Sequence, residues 1–548
     1  MSPLISFEDH DLLVINKPAG VNTHSPGSFS GEGIYDWLRH REPRWADLAL
    51  IHRLDKETSG IMVFAKSLLA RRGLTEQFTH RSVHKKYLLL TDRKVKRNEF
   101  SIVSAITRLG EKYIARPLHA GGERAETHFR LLKKSGGLTL LEAEPVTGRT
   151  HQIRVHAAES GCPVLGDSLY GGSPAPRLCL HSAELSFAHP ATGATVTFRD
   201  PAGLEASDIF VSIGLPEQKG GGAVNSLNLR QAFLDPAETN ACRLIHGADD
   251  RQPGWYVDRL GDYLLSQSAQ SMTPGQLSAL ADLLTRTRCR GAYHRILTHT
   301  LRRTSCAEAS AILVMGEEAP ERFSIHENGL QLEIGFNEGS SVGLFLDQRD
   351  NRRRFLVNHV AANFPLFVGS PAQAEVLNTF AYTCGFSVCA AKAGARTTSI
   401  DLSRKYLDWG RRNFALNQMD PAAGHNFIYG DVLEWLRRLA KKERMFDAII
   451  LDPPTFSQSK EHGAFQVEKD YGLLVTRALP LLKANGVLFA SANAAGWKPE
   501  KFLQAVEEPI RSAKRRILQR HYVPQPPDFP ITRAEPAYLK TVWLRISS

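Results

Sequence analysis

Residues 51–60, IHRLDKETSG, set His52, Arg53, Asp55, Lys56 and Glu57 close together between the apolar stretches ADLAL and IMVFA. A mixed-charge run in that place is a solvated turn or the mouth of a site. A carboxylate does nucleophilic chemistry only where it is ionised and fixed, and the decapeptide alone leaves both readings open. A second constellation lies in the C-terminal half, where four strand-like segments end in an acid or a tight turn. VLNTFAY leads into TCGFS with Gly385; TTSID ends in Asp401; NFIYGD ends in Asp431; FDAIILD ends in Asp452, followed by Pro453, Pro454 and Thr455. Any one of these acids can be a helix N-cap, but four such ends in sequence order point to a ligand.

The elements that must position these residues differ between the two halves. Before the Gly-rich stretch EQKGGGAVNS, short β-rich runs dominate: LLVINKPAG, IMVFAKS, KKYLLLT, TLLEAEPV and ATVTFRD. Residues 67–80 and 33–41 read as helix, so this half is expected to be α+β around antiparallel sheet. From about residue 340, strand-like and helical segments alternate, which predicts a doubly wound α/β domain with a mostly parallel sheet. Ligands of such sheets sit outside the carboxyl ends of the strands, where the four ends fall. Between the two lies a small α+β region with a helix near 275–287. The expected domains are 1–218, a linker at 219–226, 227–338 and 339–548.

Composition bounds the function. With 548 residues the chain is too long for one core. No stretch approaches the roughly 18 apolar residues that span a bilayer, and the N-terminus lacks a secretory pattern, so a cytoplasmic protein without a membrane partner is expected. Seven scattered cysteines without a CxxC pair argue against disulfides and against a structural zinc; no metal is expected. The net charge of +11 suits a polyanion, nucleic acid first. The sharpest basic cluster is RSVHKKYLLLTDRKVKR, residues 81–97, with seven Lys and Arg around Tyr87. No phosphate-cradling GxGxxG or Walker loop is present, so a nucleoside cofactor without phosphates, such as S-adenosylmethionine, is favoured over a dinucleotide or ATP.

The stretches GLFLDQRDNRR (343–353), NTFAYTCGFSV (378–388), SIDLSRKYLDWGRRN (399–413), GDVLEWL (430–436) and LDPPTFSQSK (451–460) resemble the RlmI/RlmK group of S-adenosylmethionine-dependent 23S rRNA methyltransferases. The resemblance runs from 225 to 545 and implies a Rossmann-like class I methyltransferase domain. It also implies a cofactor site: Asp401 at the ribose, Asp431 at the adenine end, Gln348 and Arg349 near the methionine end, with Tyr382, Gly385 and Asp452 beside them. Pro453, Pro454 and Thr455 would line the target-base site. Cys384 departs from the group, which has Gly there. Carbon 5 of a pyrimidine needs a Cys thiolate to add at carbon 6, and neither DPPT nor ASANAAG holds one. Guanine N7 needs only positioning; together with the wording PPTFSQSK, the resemblance implies RlmK-like N7 methylation of guanosine, with cytosine carbon 5 or an exocyclic amine as alternatives.

VINKPAGV (14–21), HRLDKETSG (52–60), KKYLLL (85–90) and TGRTHQIRVH (147–156), in that order, resemble the RluA type of pseudouridine synthase. That reaction detaches uracil from ribose and reattaches it through carbon 5, so no cofactor is required. The resemblance implies that Asp55 is the nucleophile, Arg154 its cationic partner, Tyr87 the ring stacked on the target base, and Arg53 the side chain filling the gap left by a flipped-out uridine. Lys17 and Arg149 read at least as well as strand-end phosphate contacts or structural salt bridges as they do as direct catalysts, and His52 and His156 read as structural histidines. The whole predicts a bifunctional enzyme acting on RNA, most of all large-subunit rRNA. The competing reading leaves one half catalytically silent as an RNA-binding module.

Overall fold

A computed structural model describes residues 4–200, 229–230, 232–297, 310–339, 341–459 and 463–548. The expected linker at 219–226, the boundary at 218 and the strand-like DIFVSIGL fall outside the described residues. The chain forms two compact units, one of Met1–His24, Gly33–Tyr35 and Asp47–Asp235, the other of Ser25–Glu32, Asp36–Ala46 and Pro236–Ser548.

The first unit is built on an eleven-stranded sheet. Strand Ser59–Ala65, SGIMVFA, is buried at every position, which is why its apolar run does not alternate. It pairs antiparallel with Leu12–Lys17 and, over two residues, parallel with Leu180–Ala188. Leu180–Ala188 pairs antiparallel with His84–Thr91, which pairs in turn with Leu138–Pro145. This register sets Tyr87 between Ser182 and Ala143 on a central strand. Gly60, the last residue of the charged decapeptide, has φ +116°, and a Cβ there would come within 2.2 Å of the Ser182 carbonyl oxygen. The loop carrying Asp55 thus closes directly on the strand beside Tyr87. Helix Leu68–Thr79 starts where expected, its N-cap Ser67 accepting from the Ala70 N–H.

Among the described residues the second unit holds a five-stranded sheet, a seven-stranded sheet and two two-stranded antiparallel pairs. The five-stranded sheet runs Ala241–His246, Trp255–Leu260, Tyr263–Ser268, Gly291–Ile296, Ile312–Gly316. The expected central helix is Pro274–Thr287, opened by a capping box between Thr273 and Gln276. In the seven-stranded sheet the order is His425–Tyr429, Arg396–Asp401, Glu375–Thr379, Phe446–Leu451, Leu482–Asn493, Leu539–Ile546, Ile517–Val523. The first five are parallel and the last two antiparallel to their neighbours. Chain order reverses between Glu375–Thr379 and Phe446–Leu451, so the crevice for a ligand opens at their carboxyl ends.

Candidate functional sites

In the first unit, Asp55 sits on the loop that Lys17 ties down. Lys17 is fully buried, and its ammonium donates to the carbonyls of Pro18, Val21 and Lys56. It is a structural lysine rather than a phosphate contact. Arg154 comes from helix Gln152–Glu159 and holds two acids. Its Nε and Nη2 clamp the buried Asp167 at 2.7 and 2.8 Å, while Nη1 reaches Asp55 Oδ2 at 3.5 Å. His151, left-handed at the start of that helix, has Nε2 3.9 Å from the same oxygen. Its Nδ1 lies 2.8 Å from the Tyr170 hydroxyl, and Tyr170 carries the Arg154 guanidinium over its ring. Asp167, His151 and Tyr170 were not assigned from sequence, although GDSLYG contains two of them.

Arg53, Asp55, Lys85, Tyr87 and Arg154 line one cavity of about 100 Å³. Burial, reinforced by the Asp55 charge, pushes the Tyr87 phenol up to about 12, so the ring keeps its hydroxyl proton. Arg53 is exposed. Arg149 is held by Glu123 at 3.0 Å. His52 accepts from the Val63 N–H and stacks on Phe78, and His156 lies between Ser104 and Thr127. Both are satisfied structural histidines. In the basic segment, Lys86 faces Glu142, Glu144 and Glu184, whereas Arg93, Lys94, Lys96 and Arg97 are exposed.

In the second unit the loop after strand Glu375–Thr379 alternates into the left-handed region at Phe380, Tyr382 and Cys384, with φ of 53°, 48° and 63°. For non-glycine residues each costs roughly 1–2 kcal/mol, and such strain collects at ligand loops. The Asp401 carboxylate fixes the loop, accepting from the Tyr382 and Ser403 N–H groups at 2.8 Å each. The Tyr382 hydroxyl accepts from the Gly343 N–H. Phe380, Leu402, Asp431, Val432 and Phe465 border a cavity of about 110 Å³. Asp431 also caps helix Val432–Lys441 through the Glu434 N–H, so the cap reading and the site reading both hold. A largely apolar slot with Asp431 and Asp470 in its lining, and Asp401 on the neighbouring strand end, matches a purine nucleoside, and these residues fit S-adenosylmethionine.

Two expected cofactor residues serve other ends. Both Nη atoms of Arg349 donate to the fully buried Asp528, at 2.6 and 2.8 Å. Its guanidinium is thereby committed inside the protein. The space over Gly385 is taken by Arg352 and Leu344, 3.2 and 3.3 Å from where a Cβ would stand, so the glycine serves side-chain packing instead of ligand approach. Gln348 does reach the strand ends, donating to Ser491 Oγ at 2.8 Å and lying 3.3 Å from both Asp452 oxygens. Burial raises the Asp452 carboxyl to about 6. Pro454 and Thr455 are exposed beside it, Thr455 donating to the Asn493 carbonyl at 2.6 Å.

Comparison with known proteins follows the same division. Residues 11–159 match the family described as RNA pseudouridylate synthase, and residues 256–545 the S-adenosylmethionine-dependent methyltransferase family. The ribosomal large subunit pseudouridine synthase C of Yersinia pestis is 38% identical over 37% of this chain and 66% of its own length. That of Vibrio vulnificus is 36% identical over 39% of this chain and 70% of its own. The chain therefore spans about two thirds of those relatives. A protein described as a methyltransferase and solved with SAH is 30% identical, covering 59% of this chain and 80% of its own at a TM-score of 0.51. A SAM-dependent methyltransferase structure from Streptococcus mutans is 27% identical, covering 66% and 87%, at 0.50. Two enzymatic halves, one needing no cofactor and one using S-adenosylmethionine, are thus joined in one polypeptide: the chain belongs to the RNA pseudouridylate synthases through its N-terminal part and to the S-adenosylmethionine-dependent methyltransferases through its C-terminal part.

Proposed function

We propose that the chain modifies large-subunit ribosomal RNA in the cytoplasm at two bases, isomerising a uridine to pseudouridine and methylating a guanosine at N7 in the manner of the RlmK type, with functional domains at 1–218, 227–338 and 339–548. The observation that carries the first activity is Asp55 in reach of Arg154 at 3.5 Å inside a cavity walled by Tyr87. Arg154 pairs with the carboxylate and orients it; Asp55 attacks either the anomeric carbon or the pyrimidine ring; Tyr87 lies against the base; Arg53 takes the place of the extruded nucleotide. The exposed Arg93, Lys94, Lys96 and Arg97 meet the phosphates.

For the methyltransferase half, bound S-adenosylmethionine supplies an electrophilic methyl group. Asp401 and Asp431 hold its nucleoside, and Gln348 fixes Asp452 at the mouth of the target site. The N7 reading rests on the absence of cysteine among the described residues lining the cavity beside Asn493. A second reading, methylation of an exocyclic amine, is favoured by one feature: N7 needs no base, yet desolvation raises the half-buried Asp452 carboxyl to about 6. The test is nucleoside mass spectrometry of unmodified 23S rRNA treated with the protein and S-adenosylmethionine. Pseudouridine together with 7-methylguanosine is expected. A methylated amine in place of 7-methylguanosine selects the second reading. Pseudouridine with no methylated nucleoside, or the reverse, leaves one unit as an RNA-binding module and overturns the bifunctional assignment.

A further inference from the structure

The five-stranded sheet of the second unit carries an unusual polar row, buried at Asp258 and Gln267 and half-buried at its two arginines. Arg243, Asp258, Gln267 and Arg295 stand on four successive strands, Arg243 opposite Asp258 and Gln267 opposite Arg295. They are linked in series. Arg243 Nε donates to Asp258 at 2.6 Å, Gln267 Nε2 donates to Asp258 at 3.1 Å, and Arg295 Nη2 donates to Gln267 Oε1 at 2.6 Å. Arg295 Nε is buried without a hydrogen-bond partner among the described residues. A sheet that only packed would fill these positions with apolar side chains, since burying polar groups costs free energy unless every one is satisfied.

This row forms one wall of a cavity of about 290 Å³. A second wall is formed by residues of the segment Ser341–Asp347 with Asn493, the residue whose carbonyl holds Thr455 of the DPPT turn. Phe345 on that wall is 52% exposed, an aromatic face left open to the cavity, and its ring lies 5.3 Å from Tyr382 of the cofactor loop. Asp347, also on this wall, is buried and bonded to Tyr538, and its charge acts on Asp452. The volume is at the lower end for small-ligand pockets, about 300 Å³, which suits a single nucleobase.

We propose that this cavity receives the target base, stacked on Phe345, with the Arg243–Asp258–Gln267–Arg295 row reading its edge. The inference rests on the methyltransferase reading above and specifies which residues select the substrate. A flipped base is recognised by stacking on an aromatic and by hydrogen bonds to its edge. Arg295, on the cavity wall, donates to a carbonyl such as guanine O6 and meets the amino group of adenine donor to donor. The Asp347 carboxyl accepts from the N–H groups beside that carbonyl. The bay therefore selects guanine over adenine. Both Phe345 and the row are specificity-determining residues outside the cofactor loop.

The test uses the full chain with Phe345→Ala and Arg295→Gln. SAH affinity by calorimetry and methyl transfer to 23S rRNA are measured for each. Expected is a loss of 10-fold or more in kcat/KM for RNA in both variants with SAH affinity within twofold of wild type, which also reports that the fold is intact. Wild-type rates in both variants overturn the pocket. If wild type methylates a base other than guanine while both variants still lose transfer, the pocket stands and its guanine assignment, with the N7 reading, falls. Loss of SAH binding together with transfer would instead place these residues in the cofactor site and overturn the inference.

Discussion

Arg154 is shared between two carboxylates, a bidentate clamp on Asp167 at 2.7 and 2.8 Å and a single longer contact to Asp55 at 3.5 Å. The short pair is the anchor and the long one the working contact. A guanidinium fixed by a buried acid keeps its orientation when the second acid forms or breaks a bond to substrate. Asp55→Asn keeps the shape and removes the nucleophile. Pseudouridine formation should fall below detection by carbodiimide-directed primer extension, with SAH affinity unchanged.

Asp167→Asn tests the anchor. Its side chain is 1% exposed, so removing the charge leaves Arg154 with one distant carboxylate in a desolvated place. Breaking a buried pair costs about 3–5 kcal/mol. The variant should unfold its first unit at a lower denaturant concentration and lose at least 10-fold in kcat for pseudouridine formation, with a smaller change in KM for RNA. Wild-type kcat would show that Arg154 needs no second acid.

Acid sensitivity follows from two histidines. Burial lowers His52 to about 3 and His156 to about 4, against about 6.5 in an unfolded chain. The unfolded state therefore binds more protons than the folded one between about pH 6.5 and pH 3. The stability the two residues contribute is complete above pH 6.5 and is lost progressively as pH falls towards 4 and then 3. The midpoint of urea denaturation should drop between pH 7 and pH 5, and His156→Gln should flatten that drop. A midpoint that does not move would refute the assignment of both rings as neutral in the folded state.

How much of this was legible in sequence varied with how local the cause was. Asp55, Arg53, Tyr87 and Arg154 were readable because each sits in a short run of distinctive composition, and they line one cavity. Asp401, Asp431 and Asp452 were readable because alternating strands and helices dictate where strand ends lie. Asp167 was not, since an Asp in a Gly-rich loop has the composition of a turn, and only the fold brings it to Arg154. Arg349 was placed at the cofactor for want of any sequence signal that its partner is Asp528, 179 positions away. Phe345 was passed over because a Phe within GLFLD reads as core until its exposure is known. The two antiparallel strands Leu539–Ile546 and Ile517–Val523 at one end of the sheet also lie beyond the alternation that revealed the parallel sheet.

The departure at Cys384 has a structural partner. Cys384 is fully buried in a left-handed conformation, φ 63°, where glycine is favoured, and its Sγ points at Gly410 of helix Arg404–Leu416. A Cβ on Gly410 would stand 2.5 Å from that sulfur and 2.9 Å from the Cys384 Cβ. The helix thus carries a glycine where the thiol needs room, although glycine inside a helix costs about 1 kcal/mol against alanine. Gly410→Ala should destabilise the second unit by about 1–3 kcal/mol through overpacking and weaken SAH binding by displacing the loop that Asp401 holds. Cys384→Gly should relieve the backbone strain and leave a small cavity. Combining the two should recover most of the loss, because the alanine methyl then occupies the space of the absent thiol. A double-mutant cycle by urea denaturation measures this coupling, and strict additivity of the two changes would show that Cys384 and Gly410 do not share that space.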